Sequence, residues 1–245
     1  MNNIAAFFDI DGTLYRNSLM IEHFKKLLKY EVFDPIIWHS DIKQKFNEWD
    51  NREGDFDVYM EELAAVYIDS LKGLNKTEYD FIAKQVISLC GDKVYSYTRD
   101  QIAYHQEKGH LVLFISGSPD YLVEKMANKY NATDYIATKY LTNNDNTFNG
   151  KVVPMWDHKN KTEAIRQLKE KYNIDLNQSY AYGDTNGDIS MLKTVGNPIA
   201  INPSFELINS IQNDDTLNEK VKIIVERKNV IYKLNKNIEI TRGGR

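Results

Sequence analysis

The sequence predicts a doubly wound α/β fold, with a mostly parallel sheet and a block of helices inserted after its first strand. Three observations predict it. The apolar run Ile4-Ala5-Ala6-Phe7-Phe8, bounded by Asp9 and Gly12, reads as a buried strand. The next comparably clean strand, His110-Leu111-Val112-Leu113-Phe114-Ile115, comes only after a long helical stretch. Beyond it, strand-like and helix-like segments alternate, which implies right-handed crossovers and parallel pairing.

Within the insertion, four sets of apolar residues have helical spacing. They are Leu19, Phe24, Leu27, Leu28; Ile36, Ile37, Ile42, Phe46; Tyr59, Leu63, Val66, Tyr67; and Phe81, Ile82, Val86, Leu89. Gly54 and Gly73-Leu74-Asn75 mark breaks between them. Residues 16–94 therefore read as a helical cap domain, set into an α/β core made of 1–15 and 95–245. The aromatic side chains Trp38, Trp49, Tyr59 and Tyr67 read as core of that insertion.

After Ile115 the pattern gives a helix over 119–130, a short strand over 135–138, and a hairpin turning through 143–147. A helix over 161–172 follows, with Ala164, Ile165, Leu168 and Tyr172 on one face. A strand over 179–182, a short helix carrying Ile189, Met191 and Leu192, and a strand over 198–201 complete the alternation. Segments 221–225 and 230–234 read as edge strands, and the tail 241–245 as disordered.

Composition narrows the function classes. The formal net charge of −4 over 245 residues is that of no electrostatic nucleic-acid binder. No apolar run approaches the roughly 18 residues of a membrane span. No basic segment followed by a long apolar stretch opens the chain, so no signal peptide is expected. The single Cys90 excludes an internal disulfide framework and fits a reducing, cytoplasmic setting.

Four polar groups recur at the carboxyl ends of the expected strands. They are Asp9 and Asp11, Ser116-Gly117-Ser118-Pro119-Asp120, Lys161, and Gly183-Asp184-Thr185-Asn186-Gly187-Asp188. In a parallel sheet those ends share one edge, so groups distant in sequence converge. Several carboxylates at one point need a cation, and hard oxygen donors without His or Cys favour magnesium. The Ser116 hydroxyl, the Gly117 amide at a helix start and the Lys161 ammonium complete a phosphate pocket. There, the Asp9 carboxylate can attack phosphorus in line and form an aspartyl-phosphate. Asp11, on the same side of an extended backbone, can protonate the leaving alcohol and then activate water.

In this order and spacing the four elements resemble the haloacid dehalogenase superfamily of phosphohydrolases. Asp9-Ile10-Asp11-Gly12-Thr13 is similar to its first motif, Ile115-Ser116-Gly117-Ser118 to its second, Lys161 to its third and Gly183-Asp184-Thr185-Asn186-Gly187-Asp188 to its fourth. The helical insertion resembles that of the phosphoserine phosphatase-like branch. The resemblance implies a Rossmann-like core with Asp9 as nucleophile, Asp11 as acid and base, and Ser116, Gly117 and Lys161 on phosphate. It implies Mg2+ on Asp9, on Asp11 through its carbonyl, and on Asp184, supported by Asp188. Lys159 competes with Lys161 for the third motif, and the helical spacing of Ala164 and Ile165 favours Lys161.

Two positions depart from the branch. Ser18 stands where a substrate-reading glutamate is expected, with Glu22 one turn further on, and Gly187 stands where asparagine is usual. The expected activity is hydrolysis of a small phosphorylated metabolite. Phosphoryl transfer to an acceptor, as in a phosphomutase, and binding of a phosphorylated ligand without turnover are the alternatives.

Overall fold

The structure, a computed structural model, describes residues 2–243. Gly244 and Arg245, the end of the tail expected to be disordered, lie outside the described residues. Strand β1 (Ala5–Phe8) is buried throughout. Its Ala6 and Phe8 join one apolar cluster and its Ala5 and Phe7 another, as the two-residue period of a strand dictates. A strand with no polar face belongs in the middle of a covered sheet.

Accordingly, β1 pairs in parallel with β2 (Leu111–Pro119) and with β5 (Tyr180–Gly183). The other strands are β3 (Asp134–Thr142), β4 (Phe148–Val153), β6 (Asn197–Ile201), β7 (Lys222–Arg227) and β8 (Val230–Leu234). The sheet order is β4-β3-β2-β1-β5-β6-β7-β8. Only the outermost strands, β4 and β8, run antiparallel to their neighbours. The chain leaves β1 for β2 on one side and reaches β5 on the other. A crevice therefore opens at the carboxyl end of β1, where doubly wound sheets bind ligands.

Helices α1 (Leu19–Lys29), α2 (Lys43–Asp50), α3 (Phe56–Leu71) and α4 (Lys76–Cys90) lie between β1 and β2, with a π-helical turn at Trp38–Ile42. With α5 (Ser96–Glu107) and α6 (Asp120–Lys129) they cover one face of the sheet. Helices α7 (His158–Tyr172), α8 (Ile189–Thr194), α9 (Phe205–Gln212) and α10 (Asp215–Lys220) cover the other. The apolar cluster on the first face is continuous from Phe8, Phe114 and Tyr182 into Phe24, Tyr67 and Tyr79 of the insertion. A buried hydroxyl chain adds direction to that packing. His23 Nδ1 is 2.7 Å from the Tyr67 hydroxyl, which is 2.5 Å from the Tyr121 hydroxyl of α6.

Several boundaries differ from the sequence reading. On α4 the buried face is Tyr79, Ile82, Ala83, Val86, Ile87 and Cys90, while Phe81 and Leu89 are exposed. A phenol sets the phase of that helix, and hydrophobicity alone points to the wrong neighbours. β2 continues through Ser116-Gly117-Ser118 to Pro119, so α6 starts at Asp120. α7 starts at His158, before Lys161, because the Asp157 side chain caps it by accepting the Asn160 N–H. β7 is not an edge, being paired with both β6 and β8. Arg242 of the tail is held by Asp55 and Glu206, each at 3.2 Å.

The two links into and out of the insertion run side by side. The Arg16 N–H donates to the Lys93 carbonyl at 3.0 Å, and the Tyr95 N–H to the Leu14 carbonyl at 2.9 Å. The C-terminal strands secure this junction. α5 has no capping side chain of its own, and the Glu226 carboxylate of β7 accepts the N–H groups of Ser96 and Tyr97 at 2.9 and 2.8 Å. Glu226→Ala is expected to lower stability by about 1–2 kcal/mol, as loss of a helix cap does. Urea unfolding checks this through a lower midpoint at unchanged slope.

Candidate active site

Strand β1 leads straight into Asp9, whose side chain is almost wholly buried and whose N–H donates to the Tyr182 carbonyl at 3.0 Å. The chain then turns sharply. The N–H groups of Leu14 and Tyr15 return to the Ile10 carbonyl at 2.9 and 2.7 Å. Gly12 has φ +83°, and a Cβ there would lie 2.0 Å from Asp184 Oδ2. Only glycine meets both demands. Thr13 donates its hydroxyl to Asp184 Oδ1 at 2.7 Å, so the first motif positions the fourth directly.

Asp184 follows β5, and the loop after it closes on Asp188. Asp188 Oδ2 accepts the N–H groups of Asp184 and Thr185, each at 3.1 Å, and its Oδ1 accepts the Lys161 ammonium at 2.5 Å. Gly183 permits this, since a Cβ there would stand 2.4 Å from the Asp188 Cβ. Lys161 reaches in from α7 and also donates to Asp9 Oδ1 at 2.7 Å. Lys159 is exposed, so Lys161 is the lysine at the centre.

Asp11 is half-buried. Its Oδ1 accepts the Leu19 N–H at 2.9 Å, at the start of α1. Its Oδ2 accepts the hydroxyls of Ser118 at 2.5 Å and Ser18 at 3.3 Å. Ser116 is fully buried, with its Oγ accepting the Ser118 N–H at 3.2 Å. The Gly117 carbonyl is held by the Thr138 hydroxyl at 2.8 Å. Thus Asp9, Lys161, Asp184 and Asp188 form one centre. Asp11 joins the Ser116-Gly117 loop through Ser118.

Sequence reading missed Thr13 and Ser118 as orienting groups. Ser118 was findable: two residues from Ser116 on an extended chain, it shares its face.

One buried ammonium faces three carboxylates, whose oxygens, one from each of Asp9, Asp184 and Asp188, lie within 4.8 Å of one another. Two oxygens, Asp9 Oδ2 and Asp184 Oδ2, accept no hydrogen bond from the described residues. Open hard oxygens beside uncompensated negative charge fit a small divalent cation such as magnesium. The electrostatics agree. Burial, then the charges of Asp188 and Asp9, push the Asp184 carboxyl well above the usual carboxylate range. Burial opposes the Lys161 charge, yet Asp188 and Asp9 hold its ammonium above its ordinary value. Burial also raises Asp11, against the hydrogen bonds from Ser118 and Leu19.

A pH dependence follows. Unfolded Asp184 releases its proton near the ordinary value of 3.8, while the folded, metal-free group keeps it to higher pH. The unfolded state then binds fewer protons, so stability falls as pH rises above about 4. A magnesium ion bound to the ionised carboxylate would reverse that loss. The rise in Tm on adding magnesium is expected to be larger at pH 8 than at pH 5, as scanning calorimetry of chelator-treated protein will show.

A cavity of about 390 Å³ opens at the junction of the two links, lined by Tyr15, Arg16, Asn17, Glu22, Lys93 and Tyr95. Among the described residues, Glu22 forms no ion pair. The Asn17 amide at 3.5 Å and the Cys90 thiol at 3.8 Å are its side-chain neighbours, both at long range. The Tyr15 hydroxyl, behind it, is buried and without a partner among the described residues.

Among the described residues, no helix is long and apolar enough to cross a membrane. Comparison with known proteins agrees with the geometry. A protein named phosphoserine phosphatase from Mycobacterium tuberculosis is 27% identical over 208 residues, covering 83% of this chain and 66% of that protein. A histidinol-phosphatase from Neisseria meningitidis is 24% identical over 212 residues, covering 84% and 93%. The solved structure of a phospho-aspartyl intermediate analogue of phosphoserine phosphatase shares the fold, with a TM-score of 0.58 at 21% identity over 93% of this chain and 95% of that one. The family profile of haloacid dehalogenase-like hydrolases matches residues 6–193. With its four motif groups gathered at one sheet edge, the chain belongs to the haloacid dehalogenase-like hydrolases.

Proposed function

We propose that the protein is a magnesium-dependent phosphomonoesterase acting on small phosphorylated metabolites, with Asp9 as nucleophile and Asp11 as acid and base. The observation that carries this reading is the buried centre of Asp9, Lys161, Asp184 and Asp188 at the carboxyl end of β1, with the Ser116-Gly117 segment on the neighbouring strand β2. In the first step a carboxylate oxygen of Asp9 bonds to phosphorus as the phosphorus–alkoxide bond breaks, and Asp11 gives its proton to the departing oxygen. In the second step Asp11 takes a proton from water. That water bonds to phosphorus, the Asp9–phosphorus bond breaks, and the Asp9 carboxylate is restored. Ser116, the Gly117 N–H and Lys161 hold the phosphoryl oxygens. Asp9, the Asp11 carbonyl, Asp184 and Asp188 would hold magnesium, which would supply charge neutralisation at the transferring group.

Burial raises the Asp11 carboxyl, the direction of shift that favours a role as acid. Residues 16–94 act in this reading as a cap over the pocket of a core formed by 1–15 and 95–245. The single thiol, Cys90, is free and buried, which supports a cytoplasmic setting.

The cavity offers a substrate alcohol one acid, Glu22, which forms no ion pair among the described residues, beside the bases Arg16 and Lys93; an amine on that alcohol would meet Glu22. Glu22→Gln is expected to raise KM for amine-bearing phosphate esters by about 5–10-fold, as loss of one partly solvated charge pair does. KM for a neutral aryl phosphate should hardly change.

The test of the proposal is phosphate release from a panel of metabolite monoesters, with and without a magnesium chelator. Release that chelation stops and magnesium restores supports it. Isomerised sugar phosphate in place of free phosphate would make the protein a mutase, and magnesium binding without turnover would make it a binding protein.

A further inference from the structure

The segment between β4 and α7, residues 154–157, crosses the site on the face opposite the inserted helices. Met155 is buried among the apolar residues of α7, α8 and α9. Its N–H donates to the Thr138 hydroxyl at 3.1 Å, the same hydroxyl that holds the Gly117 carbonyl at 2.8 Å. Trp156 then passes between two loops of the centre. A Cβ on Gly117 would meet the Trp156 Cβ at 3.0 Å, and a Cβ on Gly187 would meet the Trp156 carbonyl oxygen at 2.8 Å. Next comes Asp157, which caps the helix that carries Lys161.

So close an approach needs glycine on both sides. This gives a physical reason for Gly187 where the family resemblance leads one to expect asparagine: a side chain there would displace the segment. Trp156 remains 47% exposed. Its N–H has no partner among the described residues. A large aromatic ring held by its backbone between the two loops, yet left uncovered, is placed to meet a ligand.

We infer that Trp156 is the outer wall of the phosphate pocket and contacts the bound phosphate ester, setting affinity rather than chemistry. The inference rests on the proposed phosphatase reading. Trp156→Ala is expected to raise KM for a monoester and the Kd of inorganic phosphate by about 5-fold, with kcat within about 2-fold, as for loss of one aromatic contact at a rim. Trp156→Phe should fall between.

The deciding measurement is spectroscopic. The chain has three tryptophans. In the double variant Trp38→Phe/Trp49→Phe, Trp156 is the only indole. Its emission should change saturably as inorganic phosphate is added with magnesium, with the Kd that calorimetry gives. Acrylamide quenching of the unaltered protein gives the same reading should the double variant fold poorly. Phosphate should then protect the exposed indole, while Trp38 and Trp49 are already partly covered. Calorimetric binding with neither an emission change nor protection overturns the assignment of Trp156 and leaves the phosphatase reading standing. Absence of calorimetric binding overturns both.

Discussion

Asp9→Asn is expected to abolish turnover, by at least about 10³-fold in kcat, while the protein stays folded. An amide of the same shape fills the same space but has no anionic oxygen to bond to phosphorus, so the covalent route is lost rather than slowed. Folding should survive because Asp9 is the only member of the centre whose loss relieves repulsion without removing a loop anchor. Asp188 keeps its bonds to Asp184, Thr185 and Lys161, and Thr13 still fixes Asp184. In the metal-free state the melting temperature should be unchanged or higher. Steady-state phosphate release and calorimetry on the same preparation check both halves. Turnover near that of the unaltered protein removes Asp9 from the mechanism.

Lys161→Met is expected to cost the most stability of any single change at the centre. The ammonium lies 2.7 Å from Asp9 and 2.5 Å from Asp188, and all three groups are buried. Removing it leaves three acids with no buried base. Breaking a buried ion pair from one side costs about 3–5 kcal/mol, because the remaining charge loses its partner where water cannot replace it. The loss should shrink as pH falls. Burial already pushes the Asp9 carboxyl to about 8 even with Lys161 present. Without that lysine Asp9 and Asp184 hold their protons more tightly still, and a neutral carboxyl needs no counter-charge. Denaturant midpoints at pH 5 and pH 8 separate this from simple loss of packing, which would be the same at both.

Much of this site was legible in the chain because its chemistry is local in sequence. The alternation that buries Ala5 to Phe8 on both faces marks β1 as central, and its carboxyl end is then the only reasonable place for Asp9. The glycine at 12 marks a sharp turn, and the structure adds what the sequence did not, the carboxylates of Asp184 and Asp188 that approach Gly12 and Gly183. Other features depend on contacts that sequence spacing does not reveal. The buried positions of α5 are Thr98, Ile102 and His105, too polar a set to show a helical stripe. Its cap comes from Glu226, on a strand far along the chain. Phe81 and Leu89 resemble core by hydrophobicity, and only the packing of α4 against α1 and α6 shows that Tyr79 sets the inward face. Trp156 gave no sequence signal at all, since its place is defined by glycines at 117 and 187 that lie in two other segments.

The central claim is that a covalent bond to phosphorus forms on Asp9. Stopping steady-state turnover with acid, reducing with borohydride and mapping peptides by mass spectrometry tests it most directly, because an acyl phosphate is reduced where a carboxylate is not. Homoserine in place of Asp9, seen only when substrate was present, is the expected result. An unmodified Asp9 in protein that was turning over, or homoserine at another acid, would contradict it.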